Sequence, residues 1–440
     1  LSSGICKGVG PATARRIVER FGAETLDVLE REPERLTTLK GVTARKAQEI
    51  AESFRQHMGL RRLMAFLAQY QLPPVLAMEL RRQYGDAALE KVRENPYLLS
   101  GEACGVEFSV TDGIAMGMGL AADSDQRLQA AVTFELSHNE NNGHVFLPRN
   151  KLISATTQLL DSGAELVEQA LDSLIERGAV VQEQVANVEA CYLRRLWEAE
   201  CSACIRLAGL LAADTDCSAQ AGRAVDELEA QQGITYAPLQ RQAVELAART
   251  GVLVLTGGPG TGKTTTVRGI VALFRRMGLE IVLAAPTGRA AKRMSELTGM
   301  EAQTVHRMLG MSWNDVTHQV TFQKTEKEPL EADAVIVDEM SMVDLALFSA
   351  LLRALRPGTR LVLVGDADQL PSVGAGNVFS DLIRSGRVET VFLREVFRQA
   401  EQSAIIRNAH AVNLGQPPQL ANNQGDFFFL CRRDGERTLS

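Results

Sequence analysis

"GGPGTGKT" occupies Gly257–Thr264 and fits the pattern G-x-x-x-x-G-K-[ST]. The apolar run "VLVL" (252–255) precedes it and a helical pattern follows. In that context the spacing specifies a phosphate-binding loop between a strand and a helix. Gly258, Pro259, Gly260, Thr261, Gly262 and Thr265 are the candidate cradle. Lys263 would reach the β- and γ-phosphates of a nucleotide such as ATP, and the Thr264 hydroxyl would hold Mg2+. A merely Gly-rich turn does not account for a Lys-Thr pair at this spacing.

Further along the chain, short β-rich runs alternate with helical patterns: "IVLAA" (281–285), "AVIVD" (334–338) and "RLVLVGD" (360–366). Such alternation predicts βαβ units around a parallel sheet, hence an α/β domain. Ligands of such sheets bind at the carboxyl ends of the strands. "VIVDE" delivers Asp338 and Glu339 to such an end, about 75 residues after the loop. Two carboxylates at the tip of an apolar strand are costly unless used. Asp338 is the candidate Mg2+ ligand and Glu339 the candidate general base for an attacking water. The plainer alternative is a surface strand end.

Other stretches narrow the class. "APLQRQAV" places Gln240 ahead of the loop, "APTGRAAKRM" (285–294) follows the second strand, and "QTVHRML" (303–309) comes later. "VDEMSMVD" (337–344) holds the carboxylates, and "LVGDADQLPSVGAGNVF" (363–379) and "LREVFRQ" (393–399) complete the set. Together these resemble superfamily 1 helicase motifs. The closest resemblance is to the RecD-like 5′→3′ branch, in the bacterial type that works without RecBC partners. This resemblance implies a RecA-like motor domain in which Gln240 bonds adenine. Gln369 would sense the γ-phosphate, and Arg398 would place a positive charge on it from a second motor domain. Pro286, Thr287, Thr304 and His306 would line a single-strand channel; a satisfied core histidine is the alternative for His306. Residues 311–333 fall where the family carries a strand-separating hairpin. Within them "VTHQVTF" alternates like a strand, and Trp313 is free either to stack on a base or to pack.

The front of the chain repeats itself. "GVGPATARRIVERF" from Gly8 aligns with "GVTARKAQEIAESF" from Gly41 at an offset of 33, matching Ala14 with Ala47, Ile17 with Ile50 and Phe21 with Phe54. A weaker third copy starts at Gly105, with Glu107 where the second glycine would stand. The copies resemble helix-hairpin-helix motifs, which bind DNA backbone without sequence preference. Gly8, Gly10, Gly41 and Thr43 would then present helix N-termini to phosphate. Lys7, Arg15, Arg16, Lys40, Arg45 and Lys46 add sequence-independent attraction. The alternative is a purely structural scaffold, which is preferred for the third copy.

The net charge is −7, yet residues 1–62 carry 12 Lys and Arg against 8 Asp and Glu, whereas residues 127–235 carry 8 against 16. A basic front on an acidic chain is compatible with a nucleic-acid partner. Seven scattered cysteines read as reduced thiols, and Cys201 and Cys204 lack a second pair for a zinc site. No apolar run is long enough to span a bilayer. The expectation is therefore a cytoplasmic protein without membrane contact.

The expected organisation is a tandem helix-hairpin-helix region (1–125), a winged-helix-like domain (126–195) and a helical linker (196–230). A RecA-like motor domain (231–390) and the start of a second (391–440), including a strand at "DFFFL", follow. The second is expected to be incomplete, because motifs V and VI are not found. The expected activity is ATP- and Mg2+-dependent 5′→3′ unwinding by a monomer acting on single-stranded and forked DNA, in repair or recombination. Two alternatives stand beside it: the helicase part of a conjugative relaxase-helicase, and an ATP-gated DNA-binding switch that does not translocate.

Overall fold

A computed structural model of the 440-residue chain describes residues 9, 11–101, 103–213, 218–314, 319–395, 403–420 and 426–429. The chain divides into two compact units. The first comprises residues 1–134, 153–173 and 313–321; the second comprises 135–152, 174–312 and 322–440.

In the second unit, six parallel strands form one sheet in the order β11-β4-β10-β9-β5-β6. They are β4 (Val252–Gly257), β5 (Ile281–Ala285), β6 (Ala302–Thr304), β9 (Ala334–Val337), β10 (Arg360–Gly365) and β11 (Glu389–Leu393). The central strands read as unbroken apolar runs because both faces of the sheet are covered. Val252 and Val254 face a core with Leu351 and Phe379, whereas Leu253 and Leu255 face one with Ile270 and Phe274. Val335 and Val337 alternate with Ala334 and Ile336, and Leu361 and Leu363 with Val362 and Val364, in the same way.

Two expectations about domain limits need correction. Residues 196–230 do not form a linker. Helix Arg194–Leu211 buries Ala203 and Leu210 in the first core, and helix Ser218–Gln232 buries Ala221, Val225 and Leu228 in the second. Each amphipathic stripe covers one face of the sheet. The sheet also runs past residue 390, because Glu389–Leu393 pairs with β4 from Glu389↔Leu253 to Leu393↔Gly257. Residues 426–429 of the expected "DFFFL" strand are irregular, and Leu430 lies outside the described residues.

A smaller antiparallel sheet, order β1-β3-β2, joins β1 (Phe146–Pro148), β2 (Val180–Val185) and β3 (Val188–Leu193). Helices Arg149–Leu160 and Ala164–Glu176 come between β1 and β2, the order of a winged helix. Within 311–333, β7 (Met311–Asn314) pairs with β8 (Gln319–Phe322), and the turn 315–318 lies outside the described residues.

The first unit is helical. Val9 and Val42, Ala14 and Ala47, and Ile17 and Ile50 all lie buried in one cluster with Phe54, and Phe21 packs against it. The residues matched by the repeat are thus the ones that pack its two copies together. Each buried isoleucine contributes roughly 1.5–3 kcal/mol. Helix Ala44–Gln69 leaves this cluster and enters a second through Leu63, Phe66 and Leu67, where Leu80, Leu99 and Ile114 meet it. Arg127 grips Asp112 with two nitrogens at 2.8 and 2.9 Å, and the Tyr97 hydroxyl donates to the same carboxylate at 2.6 Å. No helix among the described residues is long and apolar enough to cross a membrane.

Candidate nucleotide site and nucleic-acid edge

The phosphate loop leaves β4 and enters helix Lys263–Arg276 through Gly262, whose φ of +85° is a conformation side chains disfavour. Thr261 Oγ1 donates to the Gly258 carbonyl at 2.9 Å and ties the loop across its base. Lys263 Nζ donates to the carbonyls of Gly257 and Gly258, the latter at 3.1 Å. Burial pushes the Lys263 ammonium below its ordinary pKa, against the pull of Asp366, Asp338 and Glu339.

Asp338 and Glu339 follow β9 at its carboxyl end. The Asp338 N–H donates to the Ala284 carbonyl at 3.0 Å, extending the ladder to β5. Its Oδ1 accepts the Glu339 N–H at 2.9 Å. Burial raises the pKa of both carboxyls, and for Glu339 the Asp338 charge adds to it. Glu339 has φ +54° and ψ +41°, left-handed backbone for a residue with a side chain. Such a conformation persists only where the surroundings impose it, and it is concentrated at functional sites.

The stretch after β10, within "LVGDADQLPSVGAGNVF", closes this wall. The Ala367 N–H donates to Thr256 Oγ1 at 3.1 Å, joining the loop after β10 to β4. Gln369 Oε1 accepts from Ser341 Oγ at 3.1 Å, joining it to the turn after Glu339. Lys263, Thr264, Asp338, Glu339 and Gln369 thereby line one cavity of about 1390 Å³, with Gly258, Pro259, Gly260, Thr261 and Gly262. Arg293, Asp366, Arg394 and His410 line it too, and sequence reasoning did not single them out. Arg293, Asp366 and Arg394 stood within quoted motifs, but nothing local to them or to His410 marks which way their side chains point.

Gln240 and Thr265 are not among the lining residues. Thr265 is exposed on the first turn of the helix. Gln240 is only 4% exposed. Its Oε1 accepts the Ala237 N–H at 3.1 Å, and its Nε2 reaches the Gly262 carbonyl at 3.5 Å. The amide is therefore turned to the back of the loop. Arg398 lies outside the described residues.

The oxygen donors of Thr264 and Asp338 suit Mg2+, which takes one or two protein ligands and completes its shell with phosphate and water. No cluster of three or more His, Cys, Asp or Glu suited to a metal occurs among the described residues.

A second group lies at the same carboxyl edge of the sheet, beyond β9. Pro286 and Thr287 follow β5, and Thr304 ends β6 opposite Ala285. Thr287 and Thr304 cap the following helices, accepting the N–H groups of Ala290 at 3.3 Å and Arg307 at 3.1 Å. His306 is half-buried, its ring centroid 6.3 Å from that of Phe322 on β8. In the first unit, Thr43 caps helix Ala44–Gln69 by accepting the Lys46 N–H at 3.3 Å, and Gly41 turns at φ +88°. Gly8 and Gly10 lie outside the described residues.

Three family models match: a SAM-like helix-hairpin-helix tandem over residues 6–56, the helix-hairpin-helix domain of ATP-dependent RecD2 DNA helicase over 56–146, and an AAA domain over 240–375. The weak third glycine copy falls within the second match. The ATP-dependent RecD2 DNA helicase of Deinococcus radiodurans is 34% identical over 422 residues, 93% of this chain and 57% of that one. The RecBCD subunit RecD of Mycolicibacterium smegmatis is 40% identical over 215 residues, 44% of this chain and 37% of that one. This chain thus spans just over half the length of its RecD2 relative. The Pif1 helicase of Candida albicans overlaps 42% of this chain and 46% of its own at 24% identity, with a TM-score of 0.33, too low to carry a fold argument. The chain thus matches the RecD2 hairpin domain ahead of an AAA domain and is similar to a RecD2 helicase over nearly its whole length.

Proposed function

We propose that this chain is the ATP-hydrolysing motor region of a DNA helicase that moves 5′→3′ on single-stranded DNA and opens forked duplex. The observation that carries the proposal is the convergence of Lys263, Asp338, Glu339 and Gln369 on one cavity at the carboxyl ends of β4, β9 and β10. Direction, monomeric action and a role in repair or recombination rest on the likeness to RecD2 and RecD. Independence from RecBC partners rests on the RecD2-type hairpin domain.

In this mechanism the loop backbone holds the phosphates, and Lys263 leaves the Gly257 and Gly258 carbonyls for the β- and γ-phosphates. Thr264 and Asp338 would hold Mg2+, which neutralises charge on the β- and γ-phosphates when bound. Glu339 takes a proton from the attacking water, and a raised pKa makes it a better acceptor than an exposed carboxylate. Gln369 reports the γ-phosphate through Ser341 to the turn that holds Glu339. Arg398 would supply the charge opposite Lys263. Gln240 reaches adenine only by giving up its bond to Ala237 or Gly262; as it stands it positions the loop. Pro286, Thr287, Thr304 and His306 form one wall for single-stranded DNA, and the hairpins at Gly8, Gly10, Gly41 and Thr43 hold backbone phosphate.

The test is strand displacement on forked DNA bearing a 5′ or a 3′ tail, with ATPase measured in parallel. Displacement with the 3′ tail alone would refute the direction. DNA binding with no DNA-stimulated hydrolysis would leave the non-translocating switch.

A further inference from the structure

Helix Ala404–Asn413 carries His410 against the start of the phosphate loop. A Cβ added to Gly258 would lie 3.1 Å from His410 Cε1 and 3.8 Å from Nε2, so the ring sits against the space that a side chain at 258 would fill. His410 Nε2 is buried and has no hydrogen-bond partner among the described residues. Neither tautomer relieves this: a protonated Nε2 lacks an acceptor, and a bare one lacks a donor. Buried polar groups without partners are rare and call for an explanation.

The helix is tied to the chain that follows it, so the two present this ring as one body. Asp426 accepts from Ser403 Oγ at 2.6 Å and from the Ala404 and Ile405 N–H groups at 2.8 and 3.3 Å, fixing the N-terminus. Asn408, 5% exposed, exchanges two hydrogen bonds with the Gln419 backbone at 3.0 and 2.8 Å. Lys263 Nζ bonds the carbonyl of the same Gly258 at 3.1 Å. Imidazole and ammonium thus meet one residue, at the phosphate end of the cavity.

We propose that His410 is a nucleotide-contacting residue that reads the terminal phosphate of ATP. Phosphate entering the loop separates the ring from Gly258 and gives the Nε2 hydrogen an acceptor, so that occupancy shifts the helix carrying it. The inference rests on the nucleotide reading of the cavity and adds to it a contact from beyond β11.

The test measures binding of a fluorescent non-hydrolysable triphosphate and of the matching diphosphate, with Mg2+, to the 440-residue chain. His410→Ala should weaken the triphosphate about tenfold, the scale of a hydrogen bond to a charged group, and the diphosphate less than about twofold. His410→Gln, which keeps an N–H donor, should restore most of the loss. Equal weakening of both nucleotides, or none, would overturn the proposal, and so would a Gln variant no better than Ala. Lys263→Ala is the control for the site itself and should weaken both nucleotides. If it changes neither, the nucleotide reading fails; if it weakens both while His410→Ala does nothing, only the role of His410 fails.

Discussion

Glu339 offers a test in which backbone strain and chemistry separate. At φ +54° and ψ +41° it occupies left-handed backbone, which costs a residue with a side chain roughly 1–2 kcal/mol. Glycine escapes that cost but loses more chain entropy on folding, about 0.5–1 kcal/mol relative to alanine. In ordinary helix or strand backbone, the glycine variant of any pair is therefore the less stable. At position 339 the order reverses: Glu339→Gly should be more stable than Glu339→Ala by about 0.5–1 kcal/mol. Both variants remove the same half-buried carboxylate beside Asp338, so that contribution cancels in the comparison. With roughly 2–4 °C per kcal/mol for a domain of this size, the glycine variant should melt about 1–4 °C higher. Paired thermal or urea unfolding without nucleotide reads the difference. ATPase on the same samples should fall at least ~10²-fold in both, the scale of losing a general base. A glycine variant less stable than the alanine one would show that position 339 is not held left-handed, and the strain argument would collapse.

Glu339→Gln should keep nucleotide and DNA binding while turnover drops at least ~10²-fold, so normal turnover would remove Glu339 as the base. Gly8→Val combined with Gly10→Val should weaken forked-DNA binding and flatten its salt dependence, leaving DNA-independent ATPase nearly unchanged; equal affinity across a salt series would return the hairpins to scaffold. Asp112→Asn should destabilise the first unit by roughly 3 kcal/mol, because it strips Arg127 of its carboxylate in a largely buried pair. Hydrogen bonds from Arg127, and then Tyr97, hold the Asp112 pKa below its ordinary 3.8. Its contribution is therefore complete above that pH and is lost progressively as the pH falls through the lowered folded-state value. The gap in urea midpoint between wild type and Asp112→Asn should accordingly be full at pH 6 and shrink steadily as the pH is lowered through 3.

The parallel sheet and the phosphate loop were legible because buried strands and a Gly-Lys-Thr turn leave local patterns. The internal repeat was legible for a related reason: its matched residues are the ones that pack the two copies together. Helices Arg194–Leu211 and Ser218–Gln232 show where such reasoning runs out. An amphipathic stripe says that a helix packs, but not against what, and both looked like linker until the sheet supplied their partner. Glu389–Leu393 reads as an ordinary strand, and only its pairing with β4 assigns it to this sheet. The buried amide of Gln240, the left-handed backbone of Glu339 and the contact of His410 with Gly258 depend on tertiary placement, which no spacing along the chain encodes.

The sheet also constrains how the proposed hydrolysis could be coupled to DNA. The Asp338 N–H is bonded to the Ala284 carbonyl, and Pro286 lies two residues further along the chain, just past the end of β5. The proposed metal ligand and the proposed DNA wall are thus joined by one ladder hydrogen bond and a short stretch of backbone. β9 is buried on both faces, and β5 packs its residues into the same two cores, which favours one arrangement. So short and stiff a path holds the two sites in register but cannot itself switch, because coupling requires an element with two positions. The moving part must therefore touch the cavity from outside the parallel sheet. Among the described residues, helix Ala404–Asn413 does so, and His410 is its contact with the loop. If His410→Ala left triphosphate binding intact but abolished any effect of nucleotide on single-stranded DNA affinity, the helix would be the coupling element without being the sensor. If both survived, the coupling would have to run through the loop after β10 and its Gln369 alone.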